Sequence, residues 1–225
     1  MKKAFTLAEV LITLGIIGVV AALTMPALIQ KHQEQVAVNK LKKFYSTFSQ
    51  AYLMAVNEYG TFDNWGLGGP EDDAEDDNKY STDYIDRIDK FFDMMKPYLK
   101  IIHSEKLPTD KNGHANTGYV LADGTHITGV WLNTPSCIAN PNDICGDFYV
   151  KLDNKDYDRN NNKNVFNFRI YKNKIKPSGS ANYEFRDCKN KTYPTHCTAW
   201  VIYNGNMDYL HCPDKLSWNG KRSCK

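Results

Sequence analysis

The sequence predicts an α+β protein, with one long N-terminal helix that carries a globular head built around an antiparallel β-sheet. Three observations predict it. Almost all the strongly apolar sequence lies in the first 29 residues, although the mean hydropathy of the whole chain is negative. An amphipathic helical stripe then runs straight on to Gly60. From Tyr119 onward, short strand-like runs are separated by turn residues.

The first element is the apolar one. Val10 to Ile29 is a 20-residue stretch without charge, in which Thr13 and Thr24 are the only polar side chains. As a helix it is about 30 Å long, the thickness of a bilayer's hydrocarbon core. The alternative is a cleavable signal peptide, with Lys2 and Lys3 as its basic region, Val10 to Leu23 as its apolar region and a cut near Ala22 or Ala27. The length of the stretch, the absence of a polar region before a cut and the helical pattern beyond it all argue against that. Lys2 and Lys3 favour a cytoplasmic N-terminus, whereas Lys31, Lys40, Lys42 and Lys43 run against the positive-inside trend.

The helical stripe continues through Ala37, Leu41, Phe44, Phe48, Ala51, Ala55 and Tyr59 in steps of three and four, and Gly60 ends it. A single helix from Phe5 to Tyr59 is about 80 Å long, and Pro26 is expected to bend it. Residues 61–79 form a Gly-rich and then acidic loop, a pattern that reads as solvated surface. Tyr84, Ile85, Ile88, Phe91, Phe92 and Met95 mark a second amphipathic helix, capped by Ser81 or Thr82 and ending around Pro97. Tyr119 to Ala122, the turn Asp123-Gly124 and Thr125 to Leu132 read as a hairpin. Phe148 to Leu152 and Val165 to Tyr171 are two further strands around an Asn/Asp-rich loop.

Asn204-Gly205 is the strongest type I′ turn signal in the chain. A hairpin there pairs Ile202 with Met207 and Trp200 with Tyr209, and sets Cys197 opposite Cys212. That makes Cys197–Cys212 the expected bridge. Cys137 and Cys145 could close a short loop, which leaves Cys188 and Cys224; this is one of fifteen connectivities. The six cysteines lie at wide spacings without a C-x-x-C pair, which indicates disulfides and an oxidising compartment, and hence an exported C-terminal part.

Composition excludes several classes. With 42% hydrophobic and 24% charged residues the chain is not disordered throughout. Its 28 basic residues against 26 acidic ones leave a net charge of +2, so no nucleic-acid partner is expected. No phosphate loop, metalloprotease helix or nucleophile elbow appears, and the chain is not expected to be an enzyme. His196-Cys197 and His211-Cys212 suggest zinc, but neighbours on a strand point to opposite faces and the four could not converge. Asp153, Asp156, Asp158 and Asn160 supply the closely spaced oxygens that calcium requires. Asn161 stands where an EF-hand needs Gly and Asn167 where it needs Glu, while Lys155, Arg159 and Lys163 offset the aspartates. A solvated inter-strand loop is the competing reading.

One residue is out of place, since Glu9 is a carboxylate one turn into the apolar helix and is therefore a functional candidate. Ala4-Phe5-Thr6-Leu7-Ala8-Glu9, followed by an apolar helix, resembles the N-terminal cleavage and methylation motif of type IV prepilins and type II secretion pseudopilins. The resemblance covers about 30 residues. It implies cleavage of the Ala4–Phe5 bond by a membrane-embedded prepilin peptidase and methylation of the new amine on Phe5. The family's assembly glutamate maps onto Glu9 and its helix-kinking proline onto Pro26; the residue before the cut, usually Gly, is Ala4 here. The implied organisation is a leader (residues 1–4), a membrane and polymerisation segment (5–29), an amphipathic half-helix packed on the head (30–59) and a disulfide-containing head (60–225). The implied role is a fibre subunit of a bacterial inner-membrane machine that assembles with other pilin or pseudopilin subunits, the head facing the periplasm or cell surface. Major pseudopilins often bind calcium in the region that matches the Asp/Asn-rich loop. Burying a subunit's new amine beside a neighbour's Glu9 is far less costly than burying either charge alone. The alternative is a membrane-tethered binding or adhesion module that never polymerises and has no use for Glu9.

Overall fold

The computed structural model describes residues 6–67, 82–107, 116–139, 144–152 and 163–225. Helix α1, Leu7–Tyr59, is 53 residues long, about 80 Å, and passes through Pro26 without interruption. Thr6 caps its start, and Gly60 stops it at φ +82°, a conformation that a residue with a Cβ adopts only under strain. Helix α2 is Thr82–Met95. The head's sheet has six strands in sequential order, all neighbours antiparallel: β1 Ile101–Leu107, β2 Asn116–Leu121, β3 His126–Leu132, β4 Gly146–Lys151, β5 Val165–Tyr171 and β6 Lys174–Pro177. A short helix α3, Thr134–Ala139, links β3 to β4. The molecule is thus a long apolar N-terminal helix followed by an antiparallel α+β head.

The second half of α1 becomes part of the head because its stripe of Val38, Leu41, Phe44, Phe48, Ala51, Tyr52 and Ala55 is buried. Phe48 meets Phe148 of β4 with ring centroids 4.7 Å apart, and Phe44 meets Phe168 of β5 at 5.4 Å. These contacts join the helix to the middle of the sheet. The Tyr52 hydroxyl donates to the Tyr171 carbonyl at 2.7 Å, so its burial leaves no polar atom unpaired. Below it, Phe62, Trp65 and Phe91 close a second aromatic cluster between α1 and α2.

Strand β5 is buried on both faces. Its Phe166, Phe168 and Ile170 alternate with Val165 and Asn167, which are also covered. The second cover is the C-terminal third of the chain: helix α4 (Asn182–Lys189), a 3-10 turn (Pro194–Cys197) and helix α5 (Thr198–Asn204). The Asn167 amide donates to Thr198 Oγ1 at 2.9 Å, and its side chain donates to Asp147 and bonds with Ser178. Arg169 and the buried Glu184 form an ion pair beneath this cover.

This region corrects the expected final hairpin. Residues 198–204 are helical, and Gly205, at φ +69°, is the left-handed residue that ends the helix, its amide donating to Val201 at 3.0 Å. Asn-Gly marks a position that needs positive φ, and a helix end uses it as readily as a hairpin. Ala199, Trp200, Val201 and Ile202 are all buried, and such a run has no strand-specific period. The expected Cys197–Cys212 bridge falls with the hairpin. The pairs are Cys137–Cys145, Cys188–Cys197 and Cys212–Cys224.

Candidate membrane and assembly interface

From Leu7 to Gln33 every side chain of α1 is exposed except the half-buried Ala21. Leu7, Ile12, Ile17, Val19, Leu23 and Leu28 are each more than 60% exposed, an apolar surface far larger than water tolerates on a folded chain. This is the one helix among the described residues that is long and apolar enough to cross a membrane.

Its few polar side chains are satisfied within the helix. Thr13 Oγ1 donates to the carbonyls of Glu9 and Val10, both at 2.9 Å, and Thr24 Oγ1 donates to Val20 at 2.9 Å. Glu9 is satisfied too. Its Oε2 accepts from the Thr6 amide and hydroxyl, each at 2.8 Å, while Thr6 Oγ1 accepts from the Glu9 amide at 3.3 Å. This is a capping box, and it gives Glu9 a local role in starting the helix. The signal that finds it is the spacing Thr6-x-x-Glu9. Ala4 and Phe5, the expected cleavage and methylation residues, lie outside the described residues, as do Asp153, Asp156, Asp158 and Asn160 of the calcium set. Asn167 is built into the buried network under α5.

The head takes hold of α1 at Glu34. His211 Nε2 lies 2.9 and 3.0 Å from the two Glu34 carboxylate oxygens, and Gln30 Nε2 donates to the same carboxylate at 3.1 Å. Under this contact lies Tyr209, whose hydroxyl is pushed well above its ordinary range by burial and by the charge of Glu34. Six residues further on, Lys40 donates to the Leu152 carbonyl at 2.6 Å. Among the described residues, Leu7 to Gln33 is therefore clear of the head over about 40 Å of helix.

The four residues of the zinc suggestion have other partners. Cys197 and Cys212 belong to different disulfides, His211 binds Glu34, and His196 stacks on Tyr193 at 5.1 Å. Burial, and then the Arg169 charge, hold the His196 imidazole below its ordinary pKa.

A cleft of about 330 Å³ lies between α2 and the β1–β2 pair, lined by Asp89, Asp93, Lys96, His103, Ser104 and Tyr119 among others. Asp89 accepts from the Tyr119 hydroxyl, and Asp93 pairs with Lys96 at 2.9 Å. A β-bulge at Ile102 brings successive residues of this outermost strand to the cleft wall. It is a concave surface of the head that sequence reasoning missed along with β1.

No curated protein and no solved structure matches this chain. A family of unknown function (DUF6613) matches residues 27–186, from the end of the apolar stretch to within α4. The matched segment takes in the amphipathic half of α1, α2 and the whole sheet. It covers more than two thirds of the chain, which belongs to the DUF6613 family.

Proposed function

We propose that this chain is a structural subunit of a type IV pilus-like or type II secretion pseudopilus fibre. It is inserted in the bacterial inner membrane with its head exported, cleaved between Ala4 and Phe5 by prepilin peptidase, methylated on Phe5 and then polymerised through α1. One observation carries the reading: the motif Ala4-Phe5-Thr6-Leu7-Ala8-Glu9 stands at the start of a 53-residue helix whose first half packs on no part of the head among the described residues. A helix that only anchored the head would need about 20 apolar residues and no carboxylate. A polymerising helix needs a surface that neighbouring copies cover once it leaves the lipid. The head needs no catalytic centre for this role, and its three disulfides suit an oxidising compartment.

A second reading, a tethered binding module, draws on two observations. Glu9 already has hydrogen-bond partners in Thr6, and the cleft beside α2 offers the head a place to bind. Glutamine separates the two, because it preserves a capping box and removes the charge. In the fibre reading Glu9→Gln and Glu9→Ala both insert and fold, both accumulate in the membrane, and neither enters sheared fibres or crosslinked multimers. Assembly of Glu9→Gln at the wild-type level would reduce Glu9 to a helix cap and put the tethered module first.

A further inference from the structure

We infer that Cys212–Cys224 is a thiol-exchange site, a bond that an external dithiol opens and closes while the other two disulfides and the fold of the head persist. Exchange requires a thiolate to reach a disulfide sulfur, so access sorts the three bonds. Cys137, Cys145 and Cys197 are 0% exposed and Cys188 is 1% exposed. Cys212 and Cys224 are half-buried, at the surface of the C-terminal segment.

The segment is also held independently of the bond. Leu216 is 1% exposed and its carbonyl accepts from Lys189 Nζ at 2.8 Å. Trp218 donates to the Gly179 carbonyl at 3.1 Å and packs its ring 5.1 Å from that of Trp200. On the other side of the loop, Met207 and Tyr209 are buried. The Cys224 amide donates to Asp208 at 2.6 Å, and Asn206 donates to the Arg222 carbonyl at 3.0 Å. Opening the bond therefore leaves both thiols close together and ready to reoxidise.

In the exchange, one thiolate of a dithiol attacks one of the two sulfurs. The disulfide breaks, its electron pair leaves on the other cysteine, and that thiolate takes a proton. The second thiol of the dithiol then resolves the mixed disulfide. Two electrons and two protons pass to Cys212 and Cys224, and the dithiol becomes a disulfide. The partner class is a dithiol oxidoreductase. The opened bond adjoins His211, so exchange also loosens the contact by which the head grips Glu34 of α1.

The test is staged reduction of the full-length chain in detergent with dithiothreitol, with alkylation and peptide mapping at each stage. Cys212 and Cys224 are expected to be labelled about tenfold sooner than the other four cysteines, with the thermal unfolding transition retained. Hydrogen exchange across residues 30–37 is expected to rise in the opened form and in the Cys212→Ser/Cys224→Ser double variant. Labelling of a buried pair as early as Cys212, or loss of the transition when only Cys212 and Cys224 are labelled, overturns the exchange site. Unchanged protection across residues 30–37 overturns its coupling to α1.

Discussion

Glu9 and His196 are both titratable side chains whose surroundings are set by a few neighbours, and both yield tests at single positions. Glu9 takes up the amide and hydroxyl of Thr6 in the isolated chain, so under the proposed assembly its charge would reach a neighbour only through a carboxylate that is already hydrogen-bonded. The motif marks Glu9 as a candidate, but its local role required reading three residues back to Thr6. His196 was noticed in the sequence only as a neighbour of Cys197. In the fold it is half-buried between Tyr193 and the Arg169–Glu184 pair, and its depressed pKa has a consequence for stability. The unfolded chain binds a proton at this site more readily than the folded one. Stability is therefore full above the ordinary histidine range and declines as pH falls below it. His196→Gln should flatten this part of the stability–pH curve between about pH 5 and 7, as read from thermal unfolding at several pH values; an unchanged slope would show that the loss arises elsewhere. Gly205 is a third case, because a Cβ at φ +69° is strained there. Gly205→Ala should cost about 1–2 kcal/mol in denaturant unfolding, and a neutral result would contradict the left-handed helix end.

The elements that the sequence revealed were those with a clean period and a buried face. The amphipathic half of α1, α2 and the central strands β3, β4 and β5 each present regularly spaced apolar residues to one core. β1 escaped notice because Ser104, Glu105 and Lys106 give an outermost strand no apolar alternation, and β6 because it has only four residues and ends in Pro177. α5 was misread because a short, wholly buried apolar run has no diagnostic period, and the pairing of Cys197 went with it. Two measurements test these assignments. Non-reducing peptide mapping should recover Cys137–Cys145, Cys188–Cys197 and Cys212–Cys224; a peptide linking Cys197 to Cys212 would restore the hairpin and refute α5. Phe48 is fully buried between Phe44 and Phe148, so Phe48→Ala should destabilise the head by about 3–5 kcal/mol. A loss of less than about 1 kcal/mol would mean that α1 does not pack on the sheet as described.

For the whole molecule, the two halves of α1 divide the labour. Residues 7–33 present apolar surface to whatever surrounds the chain, and the rest of the helix is the central rod of the head. The fold class and the long apolar helix were legible because both rest on long stretches of consistent pattern. The cleft beside α2 and the Glu34–His211 contact were not, because both join residues far apart in sequence. The DUF6613 match covers the sheet of the head and leaves the motif at Ala4–Glu9 outside it, so the functional proposal rests on the N-terminus. The most direct test is therefore the intact mass of the protein extracted from the membrane of its native host, combined with sequencing of its N-terminal peptide. The fibre account predicts a chain that begins at Phe5, lacks residues 1–4 and carries one added methyl group on its amine. A chain that retains Met1, or begins beyond Ala22, would contradict it.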